Sequence, residues 1–135
     1  MNELLVKKYI EKCWNGADLH AFEEYAAPDY RYYLGSQAGK TKASMREFLQ
    51  AVHSAFPDWK VDIRDLIDSK NGTAVRWDGF ATHRGVFMGI PPTAKQIKVL
   101  GMSFYRIQDG KILEEWEQMD SLGMLFQLGV LPKIN

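Results

Sequence analysis

A chain of 135 residues, 46% hydrophobic and 25% charged, has the size and balance of one folded domain, residues 1–135, without room for a second core. Its 17 basic residues cancel its 17 acidic ones, which excludes the basic footprint of a nucleic-acid binder. A lone cysteine, Cys13, excludes an internal disulfide framework and any multi-cysteine metal site.

The first ten residues interleave Glu3, Lys7 and Lys8 with apolar side chains. They lack the unbroken apolar stretch of a signal peptide, and no later segment is long enough to span a membrane; a cytoplasmic location is the resulting expectation. Leu5, Val6, Tyr9, Ile10, Cys13 and Trp14 recur at helical spacing, and Asn15-Gly16 stops that helix. Cys13 lies on its apolar face and reads as a small buried hydrophobe. Asp18 suits the N-cap of a short second helix that buries Leu19, Phe22 and Tyr25 and ends before Pro28. A brief aromatic segment, Tyr30 to Tyr33, and a loop marked by Gly35 and Gly39 follow. Thr41 can cap a third helix, whose Met45, Phe48, Leu49, Val52 and Phe56 form the clearest amphipathic stripe before Pro57.

Beyond Pro57 the hydrophobic period changes from 3.6 towards 2. Asn71-Gly72 and Asp109-Gly110 are dipeptides suited to positive φ at both central positions of a type I′ hairpin. They join strand Trp59–Ser69 to Thr73–His83, and Gln96–Gln108 to Lys111–Met119. Between the hairpins, Arg84 to Lys95 reads as a loop with Gly85, Gly89 and Pro91-Pro92. A last helix over Ser121–Leu128 meets Gly129 at its C-terminal cap. Helices followed by antiparallel strands predict an α+β fold. Apolar neighbours such as Ile112 with Leu113 fall on both faces of the sheet, which suggests helices against one face and a partner subunit against the other.

There is no phosphate-cradling glycine loop, nucleophile elbow or zinc-type spacing, and His20, His53 and His83 are scattered, so neither metal nor cofactor is expected. The run Glu114-Glu115-Trp116-Glu117-Gln118-Met119-Asp120 places four carboxylates in seven residues. On a strand, Glu115 and Glu117 share one face, while Glu114, Trp116, Gln118 and Asp120 share the other. Such a cluster raises the pKa of any member that is also desolvated, which suits a general acid/base. Glu114 or Glu115 reads as a solvated or interface carboxylate, and Asp120, just before a helix, as an N-cap or a catalyst. His83, at a strand end, either donates to a substrate oxygen or bonds a loop carbonyl. Trp14, Trp77 and Trp116 are either core residues or the walls of a pocket for a flat polycyclic ligand.

The segment His83-Arg84-Gly85-Val86-Phe87-Met88-Gly89-Ile90-Pro91-Pro92-Thr93 resembles the H-x-G-x-x-x-G-[IM]-P-P-T motif of SnoaL-like polyketide cyclases. Pro28-Asp29-Tyr30, Phe56-Pro57-Asp58, Tyr105-Arg106-Ile107, Asp109-Gly110-Lys111-Ile112, Leu122-Gly123 and Gln127-Leu128-Gly129 extend the likeness over nearly the whole chain. The resemblance implies the cone-shaped α+β barrel shared with nuclear transport factor 2 and ketosteroid isomerase, as a homo-oligomer, dimer or tetramer, packed through its sheet. It also implies cofactor-free aldol ring closure in which an aspartate of the last strand takes a proton from the substrate. That aspartate falls on Glu117, the assisting histidine on Ser103, a neighbouring glutamine on Gly101, and an aromatic residue of the first helix on Trp14.

Two kinds of function follow. One is an enzyme of cyclase or isomerase type acting on a hydrophobic carbonyl compound. Its catalytic candidates are Glu117, His83 and Asp120, and its substrate-binding candidates are Trp14, Phe48, Trp77, Gly101, Ser103 and Trp116. The other is a small-molecule binding protein that catalyses nothing; a purely structural dimerisation domain would instead have a filled interior.

Overall fold

A computed structural model describes residues 2–131 of the chain. Helix α1 (Asn2–Tyr9) buries Val6 and Tyr9 and continues as one π-helical stretch, Ile10–Asn15, which buries Ile10, Cys13 and Trp14. Wider winding there turns Trp14 inward, and Asn15 fastens the end: its Nδ2 donates to the Val61 carbonyl (3.1 Å) and its Oδ1 accepts the Val61 N–H (2.7 Å). Helix α2 (Leu19–Tyr25) starts at Asp18, whose carboxylate accepts the Ala21 N–H at 2.9 Å. Helix α3 (Lys42–Ala55) starts at Thr41, whose hydroxyl accepts the Ser44 N–H, and presents Met45, Leu49 and Val52 to the core. Both caps satisfy N–H groups left over at a helix start.

Six strands form one sheet: β1 (Ala26–Leu34), β2 (Lys40–Thr41), β3 (Lys60–Ser69), β4 (Gly72–Thr82), β5 (Gln96–Gln108) and β6 (Lys111–Met119), in the order β2-β1-β6-β5-β4-β3. Pairing is antiparallel except between β1 and β6, which run parallel. Helix α4 (Ser121–Leu128) closes the described chain, with Gly129 left-handed at φ 79° as the cap expected there. The result is an α+β fold whose sheet curves without closing, since β2 and β3 are free edges. Register shifts between Ile63 and Asp65, and between Arg106 and Ile107, supply bends of the kind that curve a sheet. The concave face carries Val75, Trp77, Val99, Tyr105 and Ile112, all buried, while Leu100 and Met102 stand exposed on the convex one.

Three local expectations change. The aromatic segment at Tyr30 to Tyr33 belongs to the nine-residue strand β1, paired with the chemically richest strand. The strand expected over Thr73–His83 runs over Gly72–Thr82, because His83 already leads the loop: its N–H reaches the Lys95 carbonyl and its carbonyl takes the Ala94 N–H. Of the two hairpins, Asp109-Gly110 has the expected positive φ at both positions (54° and 73°). The other turn is centred on Lys70 and Asn71, with Ser69 opposite Gly72. Gly72 there begins β4 at φ 155°, where a Cβ would lie 2.2 Å from the Phe104 ring. Glycine is required by close approach as much as by turn shape.

Candidate active site

Period-2 alternation along β6 sends Glu115 and Glu117 to the concave face and Glu114, Trp116 and Gln118 to the convex one. Glu115 is 0% exposed and Glu117 7%, so two carboxyl groups two residues apart both sit inside the molecule. Their neighbours differ.

Around Glu115, four donors converge. Tyr9 and Tyr30 hydroxyls donate to Oε1 at 2.6 and 2.7 Å, and Trp14 Nε1 and the Tyr105 hydroxyl to Oε2 at 2.9 and 3.3 Å. Burial pushes the Glu115 carboxyl up, and these four donors oppose that push. Fixed donors replace the water an ionised carboxylate would lose. The sequence reading of this residue as solvated or at an interface is therefore corrected: Glu115 is the best-enclosed acid of the four, because β6 turns it towards helix α1 and the tyrosines of β1 and β5.

Glu117 faces a cavity of about 410 Å³ lined by Trp14, Tyr32, Phe48, Trp59, Trp77 and Met124 among others. That volume lies within the range of small-molecule sites. Among the described residues, two donors reach Glu117. The Tyr32 hydroxyl donates to Oε2, and Ser103 Oγ to Oε1 at 3.0 Å. Burial, followed by the nearby Glu115 charge, pushes the Glu117 carboxyl up to about 8, against those two hydrogen bonds. With four donors on Glu115 and two on Glu117, the shared negative charge is better held by Glu115, and the proton by Glu117.

Trp77 completes this corner. Its Nε1 donates to Ser103 Oγ at 2.9 Å. An indole nitrogen only donates, so Ser103 accepts from Trp77 and spends its own proton on Glu117. Trp77 reaches Ser103 by lying across Gly101, the residue opposite it on β5. A Cβ at Gly101 would be 2.3 Å from the indole. Gly101 thus contributes space rather than a contact.

The remaining candidates scatter. Trp14 and Phe48 line the cavity. Trp116 does not: it is 42% exposed on the convex face, stacked on Tyr33 with ring centroids 4.0 Å apart, since residues adjacent to Glu117 on a strand must point the other way. Asp120 is exposed and caps α4, accepting the Gly123 N–H at 2.9 Å. His83 is fully buried outside the cavity lining. Its Nδ1 accepts the Thr93 N–H at 3.3 Å, and its ring packs on Phe56, 5.2 Å between centroids. That arrangement ties both ends of the 84–95 loop together. Sequence reasoning passed over Tyr32 and Trp59, and gave Glu115 no part in the site. For Tyr32 and Glu115 a signal exists: tyrosines at 30 and 32 and glutamates at 115 and 117 share the spacing that puts both pairs on one face. Among the described residues, no group of three or more His, Cys, Asp or Glu side chains is placed to hold a metal ion, and no helix is long and apolar enough to cross a membrane.

A search of curated proteins finds no match to the sequence. Among solved structures, AclR of Streptomyces galilaeus, a candidate hydroxylase, is 27% identical, with a TM-score of 0.88 over 98% of this chain and 87% of that one. IdmH of Streptomyces antibioticus, a candidate polyketide cyclase, is 28% identical, with a TM-score of 0.80 over 93% and 96%. A SnoaL-like polyketide cyclase of Jannaschia, likewise a candidate, shares the fold at 18% identity, with a TM-score of 0.89 over 97% and 93%. These neighbours carry the nuclear transport factor 2-like fold. The family model for SnoaL-like polyketide cyclases matches residues 4–128, and the chain belongs to that family.

Proposed function

We propose that the cavity binds a hydrophobic carbonyl compound and that Glu117 moves a proton on it, without a cofactor, in a ring closure or isomerisation. The observation that carries this reading is a carboxyl group held at about 8 in the wall of a largely apolar cavity. A carboxylate of that basicity matches a carbon acid far better than a solvated glutamate, and at pH 7 about a tenth of it is ionised and ready to act. In the cyclase form, the Glu117 carboxylate takes a proton from a carbon flanked by carbonyl groups. The resulting enolate carbon attacks a second carbonyl of the same molecule, a C–C bond forms, and the new alkoxide takes the proton back. Tyr32 and Ser103 hold the carboxylate in place, with Trp77 holding Ser103. Trp14, Phe48 and Trp59 supply flat apolar walls. Asp120 and His83 act through the fold, the first by starting α4 and the second by bracing the 84–95 loop. A cytoplasmic location and pairing of two copies through the convex sheet face, where Leu100 and Met102 are exposed, belong to the same reading.

The test is hydrogen–deuterium exchange at the acidic carbon of a panel of polycyclic β-keto esters, followed by NMR. Wild-type protein should catalyse exchange, and Glu117→Gln should slow it by two or more orders of magnitude. Equal exchange in both proteins discards Glu117 as the base. Ligand binding without exchange in either assigns the cavity to a carrier rather than an enzyme.

A further inference from the structure

Apart from Glu117, one charged side chain among the described residues lines the cavity: Lys40. Its position is fixed by the backbone. The two-residue strand β2 pairs with β1 so that Lys40 lies directly opposite Tyr32, and opposed residues of an antiparallel pair send their side chains to the same face. Tyr32 is the residue whose hydroxyl donates to Glu117. The ammonium therefore stands on the concave side, with Tyr32 between it and the acid. It lies over the Phe48 ring, 5.1 Å from the centroid, and Phe48 in turn packs on Tyr32 at 5.8 Å.

Among the described residues, no carboxylate lies within 4.0 Å of the Lys40 ammonium, and no hydrogen bond engages it. Lys42, two residues on, shows the ordinary alternative: it pairs with Glu23 and donates to the carbonyls of Glu23 and Ala26. A half-buried cation on the wall of an apolar cavity is a cost to any neutral occupant, because entry strips water from the ammonium and returns nothing. An occupant bearing an anion reverses that balance.

We infer that the ligand of this cavity carries one anionic group, a carboxylate or a phosphate, which Lys40 binds, with its apolar ring system extending past Tyr32 and Phe48 towards Glu117. Lysine is a point charge rather than a planar fork and selects for charge more than for shape. The inference rests on reading the cavity as the ligand site, but not on Glu117 performing chemistry.

Isothermal titration calorimetry with matched probes tests it: 2-naphthoate, its methyl ester, and 2-naphthyl phosphate. The wild-type protein should bind one or both anions roughly five- to tenfold more tightly than the ester, with the preference shrinking as salt is added. The tighter anion identifies the group, a carboxylate or a phosphate ester. Lys40→Met should erase the preference while leaving the ester's affinity within twofold, and Lys40→Arg should keep it. Equal binding of acid and ester by the wild type overturns the proposal alone, as does a Lys40→Met variant that weakens both equally, since Lys40 would then act only by packing on Phe48. Failure of all three probes to bind the folded wild type sinks the ligand-cavity reading and the proposal with it. Exchange activity that survives Glu117→Gln removes the catalytic reading and leaves the anion preference standing.

Discussion

Glu115 and Glu117 leave the same strand on the same face, two residues apart, yet they sit in opposite kinds of surroundings. Glu115 is closed in by three tyrosines and Trp14, each giving it a hydrogen bond. Glu117 has Tyr32 and Ser103 on one side and open volume on the other. Burial is common to both and so cannot assign their roles. Donor count and access to a void can. A carboxylate saturated with donors is an anchor whose charge acts on its neighbours, whereas one short of donors beside a cavity keeps its reactivity for something that enters.

The contrast breaks most sharply at Glu115. Glu115→Gln turns one of the two acceptor oxygens into an NH2 donor, which must face either the Trp14 N–H, itself only a donor, or the paired Tyr9 and Tyr30 hydroxyls in a dry niche. It should cost about 3–5 kcal/mol of stability in urea denaturation, and should lower the midpoint at which Glu117 titrates by removing the adjacent charge. A variant as stable as wild type would show that the niche is not the anchor described.

Stability against pH reads the other member of the pair. Glu117 titrates near 8 in the folded protein and in the ordinary carboxylate range when unfolded, so between those values the folded chain holds a proton that the unfolded chain has released. The stabilisation is fully present below about 4.5 and is lost as pH rises through about 8, amounting to a few kcal/mol. Scanning calorimetry from pH 5 to 9 should show the wild-type Tm falling, with a smaller slope in Glu117→Gln. A Tm that climbs over this range contradicts the assignment.

Trp77→Phe is a finer probe. It keeps the ring over Gly101 but removes the indole N–H, which frees Ser103 to rotate away from Glu117. Catalysed exchange should fall about three- to tenfold, and the pH midpoint of the activity should move up, because a donor to the charged form is weakened. A rate loss with no change in midpoint would mean that Trp77 acts as a wall alone. The smallest effect belongs to the opposite face: Trp116→Ala should change ligand affinity by less than twofold, measured by the same titration used for the naphthalene probes, because its ring rests on Tyr33 outside the cavity.

Much of this architecture can be read from residue order. The strands Gln96–Gln108 and Lys111–Met119 and helix Ser121–Leu128 follow from alternation, an Asp-Gly turn and a glycine cap, all local signals, and the observed elements coincide with them. β1 escaped because its partner is β6, about 80 residues away and parallel, and Pro28 sits inside it. Alternation on β6 paired Glu115 with Glu117, but sequence alone does not say which acid meets helix α1 and which meets a void. That depends on Tyr9, Trp14, Tyr30 and Tyr105, which come from three separate parts of the chain. The match of Ser103 and Gly101 to a histidine and a glutamine showed only what was replaced. That the Trp77 indole lies in the space left by Gly101 is a matter of packing across strands, invisible until the sheet is built.

The wide turn over Ile10–Asn15 gives the first helix a slack in chain length that regular winding lacks. A π-turn holds one more residue than a regular one, so losing a residue ahead of Trp14 within that stretch can be absorbed by tightening to regular winding, with Trp14 and Asn15 kept nearly in phase. A deletion within the regular turns Asn2–Tyr9 has no such slack and would swing the residues before it by about 100° relative to Trp14. Evolution of this first helix is then expected to place one-residue indels in the wide turn and to keep a fixed count in the turns before it.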